Sequence, residues 1–245
     1  MPKARKESDM VFNPGEPIHH SSRTLHLLGD STCSIKESRY RPETGWGEEF
    51  SPFLAPGWSL ANWAVNGLST RSVLSSGVFD KTLDSLAAGD WVIVQFGHNE
   101  PKPDEERHTD PWTSFTENLK LIVTRIRENG GNPLFLSSIA RRQFIDGKAQ
   151  HTHGDYPQAM KQVALKLDIP YIDINHVTMD ILDAMGEETS KDIFLHLKPE
   201  ESPNYPKGCA DDTHLCSWGA LFIARIIYEQ VASRFCDLPF LGSTI

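Results

Sequence analysis

Short runs of consecutive apolar residues punctuate the chain, and in its second half stretches with apolar positions three and four apart separate them. The short runs, bounded by turn residues, predict buried strands at 24–28, 62–66, 91–96, 133–139 and 170–174. The longer period predicts helices near 113–129, 155–168, 176–186 and 217–234. Strand and helix in alternation imply parallel βαβ units, so the expected fold class is α/β: a three-layer α/β/α sandwich around a five-stranded parallel sheet. Such sheets bind ligands beyond the carboxyl ends of their strands, near the point where strand order reverses. Residues 1–23 carry Pro2, Pro14, Gly15, Pro17 and many polar side chains, which predicts an N-terminal arm packed on the domain or partly disordered. Residues 24–245 then form one domain, without internal repeats or low-complexity segments.

Composition narrows the function classes. The chain has 245 residues, 39% hydrophobic and 23% charged, enough for one sizeable core. No apolar run reaches the roughly 18 residues of a membrane span. The start, Met1 to Lys6, is basic but lacks the apolar stretch of a signal peptide, so a soluble, cytoplasmic protein is expected. Cys33, Cys209, Cys216 and Cys236 contain no C-x-x-C pair, which favours free thiols; a bridge between Cys209 and Cys216 stays open. A net charge of −9 argues against nucleic acid and against an anionic membrane as partners, and composition leaves the oligomeric state open.

Four polar blocks stand at or near predicted strand ends: Gly29-Asp30-Ser31-Thr32, Asn66-Gly67-Leu68-Ser69, Gly97-His98-Asn99 and, near the carboxyl end, Asp211-Asp212-Thr213-His214. A serine hydroxyl becomes a useful nucleophile when an imidazole accepts its proton, and the imidazole needs a carboxylate to fix its tautomer and stabilise its cation. Ser31, His214 and Asp211 supply those three groups. An aspartate and a histidine three positions apart, in a tight loop or a first helical turn, lie on one side of the backbone, so the carboxylate reaches Nδ1 while Nε2 faces the serine. The tetrahedral intermediate of ester cleavage needs preorganised donors, for which the Ser31 N–H, the Gly67 N–H and the Asn99 amide are the candidates. Singly, each block reads as an ordinary turn or helix cap; in this order they read as one site.

These blocks resemble the SGNH hydrolase superfamily, named for its Ser, Gly, Asn and His, and among its members most resemble the rhamnogalacturonan acetylesterases. The resemblance implies a flavodoxin-like sandwich, no cofactor, no metal, and removal of O-acetyl groups from pectin-derived oligosaccharides through an acetyl-serine intermediate. Glu100 departs from the pattern, which would place an aspartate after the block-three asparagine. An acetylxylan esterase or another acyl-ester esterase is the alternative within enzymes; a carbohydrate-binding protein without turnover is the alternative outside them. Galacturonate polymers are anionic, so a chain of net charge −9 must bind them through local cations. Arg141 and Arg142 follow the strand ending near Ile139 and stand at the same sheet edge as the site, candidates for a carboxylate clamp beside the plainer reading of a solvated pair.

Other chemistry is disfavoured. Gly29 to Cys33 lacks the final glycine of a G-x-S-x-G elbow, Gly45-Trp46-Gly47 lacks the third glycine of a dinucleotide loop, and no Walker sequence occurs. His19-His20 and His151-x-His153 have no ligand frame around them and read as solvated histidines. Trp46, Phe50, Phe53 and Leu54, spaced as on a helix, read as core more simply than as a sugar platform.

Overall fold

The computed structural model describes residues 23–243. Five strands, β1 (Arg23–Leu28), β2 (Trp58–Asn62), β3 (Trp91–Gln95), β4 (Asn132–Leu136) and a two-residue β7 (Tyr171–Ile172), form one parallel sheet in the order β2-β1-β3-β4-β7. The chain leaves β1 for one edge and then returns to the other side of β1 with β3, which puts the switch in strand order between β1 and β3. Two antiparallel ribbons decorate the sheet: β5 (Phe144–Ile145) with β6 (Lys148–Ala149), and β8 (Phe194–Leu197) with β9 (Cys209–Leu215).

Strands buried on both faces explain why their sequences are continuous apolar runs. On one face α1 (Thr70–Ser75), α2 (Val78–Asp84), α3 (Thr116–Glu128) and α4 (Tyr156–Leu167) pack Phe79, Leu119, Ile122 and Met160 against Val92, Val94 and Phe135. On the other, α5 (Ile174–Thr189), α6 (Ser217–Arg234) and the turns around Trp46 and Phe50 cover Leu25, Leu27, Ile93 and Leu134. The expected three layers are present. Trp46 and Phe50 are core, as their sequence suggests, and the Trp46 indole N–H donates to Gln95 Oε1 at 2.9 Å.

The element boundaries differ in instructive ways. The second strand lies at Trp58–Asn62, before the apolar Trp63–Val65 that suggested it. That apolar run only prolongs the edge by two hydrogen bonds, Trp63 N to Leu27 O and Val65 N to Gly29 O, on its way to the site. β4 ends at Leu136, after which the Ser137 N–H makes one more bond, to Ile172 O, and the Ser137 hydroxyl donates to Asp173 at 3.0 Å. Two helices escape the sequence pattern, α1 and α2, each too short for a periodicity argument. A capping box starts α1, with Ser69 Oγ accepting from Ser72 N and Ser72 Oγ accepting from Ser69 N. The predicted N-terminal arm lies outside the described residues except for Arg23, which opens β1.

Candidate active site

The nucleophile turn follows β1 directly. Asp30 O accepts the N–H groups of Cys33 and Ser34, and Asp30 Oδ1 accepts both the N–H and the hydroxyl of Thr32, so Ser31 is held at the apex of a turn and not at a helix start. The Asp30 carboxyl is completely buried, and burial raises its pKa above the usual aspartate value. A side chain on Gly29 would meet Cys33 Sγ at 2.5 Å, which explains glycine where β1 runs into this turn.

The candidate base, His214, stands in β9, not in the loop or helical turn expected. Leu195 pairs with Asp211 and Phe194 with Leu215, so the register between β8 and β9 breaks and Asp212, Thr213 and His214 leave the ladder as a bulge. Within it Asp211 Oδ1 accepts the N–H groups of Thr213 (2.7 Å) and His214 (2.9 Å), while Asp211 Oδ2 takes His214 Nδ1 at 2.7 Å. His214 Nε2 then lies 2.9 Å from Ser31 Oγ. Burial works against the Asp211 charge, but the hydrogen bonds and charge of His214 prevail and hold its pKa down at about 2. The bulge is pinned from behind: Asp212 Oδ1 accepts Arg142 Nη1 and His196 Nε2, each at 2.8 Å, and Asp212 O accepts the Arg142 N–H.

Arg142 is therefore no surface residue and no clamp for substrate. It is buried, and its remaining donors go to Glu187 O and Ser190 Oγ. Arg141 is half-buried; one guanidinium nitrogen donates to His98 O at 2.8 Å, and burial lowers its pKa while the charges of Asp30 and Asp211 oppose that shift. The pair thus divides, with only Arg141 turned toward the site's charges.

The candidate oxyanion donors lie on the turns that follow β1, β2 and β3. Gly67 has a left-handed φ of +83°, which only glycine adopts freely, and this aims the turn after β2. Among the described residues the N–H groups of Ser31 and Gly67 have no acceptor. Asn99, after β3, spends one amide hydrogen on Leu68 O (2.9 Å), which orients the other. A cavity of about 270 Å³ lined by Ser34, Ile35, Tyr40, Val65 and Asn66 opens on one side of Asn66, and another of about 590 Å³ lined by Gly67, Arg71, Ser72 and Arg107 on the other.

Several neighbours gave no sequence signal. His153, read as solvated, is buried: its Nε2 lies 3.0 Å from His98 Nδ1 and its Nδ1 3.1 Å from Asn175 Nδ2. Because Asn175 Nδ2 also donates to Ser138 O, it is a nitrogen, and it fixes every proton downstream: His153 is protonated on Nε2 and His98 likewise. Burial lowers both histidine pKa values well below the ordinary range, so both rings are neutral. Lys36, a residue type almost never fully buried unless paired, has a side chain only 1% exposed. Glu100, the departure from the family pattern, is fully buried and accepts the Thr70 and Asn99 N–H groups. His19 and His20 lie outside the described residues. No bridge joins Cys209 and Cys216; all four thiols are free, and Cys216 Sγ caps α6. Among the described residues no helix is long and apolar enough to cross a membrane.

Known proteins resemble this chain in sequence family and in fold. The profile of the GDSL-like lipase/acylhydrolase family matches residues 27–200, a span that ends before the Asp211–His214 bulge. The rhamnogalacturonan acetylesterase RhgT of Bacillus subtilis is 38% identical over 208 residues, covering 84% of this chain and 88% of that protein. The rhamnogalacturonan acetylesterase of Emericella nidulans is 24% identical over 233 residues, covering 86% and 85%. Among solved structures, protein YXIM of Bacillus subtilis superimposes with a TM-score of 0.75 at 18% identity, over 88% of this chain but 58% of its own longer one. Axe2, an acetylxylan esterase from Geobacillus stearothermophilus, superimposes with a TM-score of 0.59 at 14% identity, over 86% and 94%.

Proposed function

The chain belongs to the GDSL-like lipase/acylhydrolase family, and from that membership we propose that it is a serine esterase removing O-acetyl groups from rhamnogalacturonan oligosaccharides. The observation that supports this most is the unbroken line from Ser31 Oγ through His214 to Asp211, with contacts of 2.9 and 2.7 Å. In this reading His214 Nε2 takes the Ser31 proton as Oγ attacks the acetyl carbonyl. Charge develops on the carbonyl oxygen, where the Ser31 N–H, Gly67 N–H and Asn99 amide receive it. The tetrahedral species collapses as His214 returns its proton to the departing sugar oxygen. Water, deprotonated by His214, then attacks the acetyl-Ser31 ester and releases acetate. Asp211 stays ionised throughout, because its pKa of about 2 lies far below that of an imidazolium.

The sugar assignment is carried by the relative of 38% identity, whose name specifies rhamnogalacturonan. Arg141, close to the charges of Asp211 and Asp30, is the cation we assign to a uronate carboxylate on that substrate. We place the reaction in the cytoplasm, in keeping with four cysteines that are all free thiols. The deciding experiment is acetate release from acetylated rhamnogalacturonan oligosaccharides and acetylated xylo-oligosaccharides, with wild type and Ser31→Ala. Faster turnover of the former, abolished in Ser31→Ala, is expected. Preference for the xylan fragments would replace the substrate, and undiminished activity in a folded Ser31→Ala protein would remove the mechanism.

A further inference from the structure

Among the described residues Lys36 is the one buried lysine, and burying a cation is costly unless each of its protons finds an oxygen. Lys36 has three to place and three partners: Ser31 O at 2.6 Å, Asn66 Oδ1 at 2.8 Å and Glu43 Oε1 at 2.8 Å. Glu43, itself buried, balances the charge. The other two partners belong to different parts of the site. Ser31 O is the carbonyl of the nucleophile, and Asn66 immediately precedes Gly67, the residue whose N–H faces the oxyanion.

We propose that Lys36 is a positioning residue that fixes the nucleophile relative to the oxyanion hole. The argument rests on the assignment of Ser31 as nucleophile and of Gly67 as a donor. On its amino side Ser31 is already tied down, since Asp30 O holds two N–H groups of the turn. On its carboxyl side its carbonyl has one further partner besides the Lys36 ammonium, the Ser34 hydroxyl at a longer 3.4 Å. Holding that carbonyl sets the Ser31 backbone and with it the direction in which Oγ leaves Cα. The same ammonium, together with the Ser34 hydroxyl at 2.7 Å, grips Asn66 Oδ1, so the turn after β1 and the turn after β2 are cross-linked by charge-assisted hydrogen bonds. The ammonium is itself placed from its own backbone, because the Lys36 N–H donates to Glu48 Oε1, which also accepts from Gly45 N. A nucleophile and a donor on separate strands must keep their spacing through the reaction, and a misplacement of about 1 Å costs on the order of 100-fold in rate.

The test compares wild type, Lys36→Met, Asn66→Ala and the double variant on a small aryl acetate, with thermal unfolding of each. Lys36→Met should lower kcat about 100-fold with KM within about threefold, and the loss should persist when rate is expressed per folded molecule. Asn66 is exposed, so Asn66→Ala folds, with a modest drop in Tm from the acceptor that the buried ammonium loses; it should lower kcat about tenfold per folded molecule, and the double variant should be no worse than Lys36→Met, because one cross-link is broken twice. A folded Lys36→Met protein with kcat within about threefold of wild type, or fully additive losses, overturns the proposal. If Lys36→Met does not fold, Asn66→Ala decides alone, and wild-type kcat in that variant is the refuting result. Ser31→Ala run in parallel keeps the claims apart: loss in Ser31→Ala with none in Lys36→Met removes Lys36 only, whereas activity surviving Ser31→Ala overturns both.

Discussion

Glu100 Oε1 accepts the backbone N–H of Thr70 at 2.8 Å, joining the loop that carries Asn99 to the first turn of α1. Its second oxygen accepts the Asn99 N–H, so one buried carboxyl holds two parts of the candidate oxyanion hole together. The residue that breaks the family pattern is a brace.

Burial raises the Glu100 pKa from 4.5 to about 7, although the Thr70 hydrogen bond pulls the other way. The folded chain therefore keeps a proton there that the unfolded chain has lost. Its contribution to stability is full below pH 4.5 and is lost as pH rises to about 7, by up to about 1.4 kcal/mol per pH unit. Glu100→Gln should flatten that slope in denaturant midpoints measured across the window. Parallel curves for the two proteins would show that Glu100 does not titrate there.

Asn99→Ala should lower kcat about 10²–10³-fold with little change in KM, because an oxyanion donor acts chiefly in the transition state. Steady-state kinetics on an aryl acetate measure it. A kcat within about threefold of wild type would remove Asn99 from the oxyanion hole.

Asp211 and Asp212 should behave differently although they are neighbours. Asp211 touches the His214 ring, so Asp211→Asn should cut turnover at least about 100-fold. Asp212 touches Arg142 and His196, so Asp212→Asn should loosen the bulge, seen as a lower Tm with a smaller kinetic loss. The reverse ranking would transfer the carboxylate role to Asp212.

Arg141→Ala should raise KM for acetylated uronate-containing oligosaccharides several-fold while leaving a neutral aryl acetate almost unaffected. Arg142→Ala should harm both substrates alike and lower Tm, because its guanidinium is spent on Asp212, Glu187 and Ser190. Equal losses for Arg141→Ala on both substrates would refute the carboxylate contact.

The sequence discloses the blocks of Ser31, Gly67 and Asn99 because each follows a strand of the parallel sheet, and such strand ends converge, whereas Asp211 and His214 are legible by their spacing alone, since they sit in an antiparallel ribbon outside that sheet. What it conceals is pairing across distance. Arg142 and Asp212 are 70 positions apart, and His98 and His153 are 55 apart, so nothing local marks either as a bonded pair. The solvated readings of Arg142 and His153 fail for that reason. The strand misplaced onto Trp63–Val65 shows the same limit, since an edge strand is only half-buried and its apolar signal is weaker than that of the run leading from it to the site. Lys36 is silent for a further reason: a lysine in a polar segment looks solvated until its acceptors are known.

The chain from Asn175 through His153 to His98 has a directional sense: Asn175 donates to His153, His153 donates to His98, and the His98 Nε2–H ends the line without an acceptor among the described residues. These two imidazoles are thus wired as fixed dipoles anchored in α5. In the proposed reaction that leaves His214 as the proton carrier, since neither His98 nor His153 keeps a free lone pair to take the serine's hydrogen. Selectivity of that kind comes from the wiring behind the site and not from the groups that face the substrate.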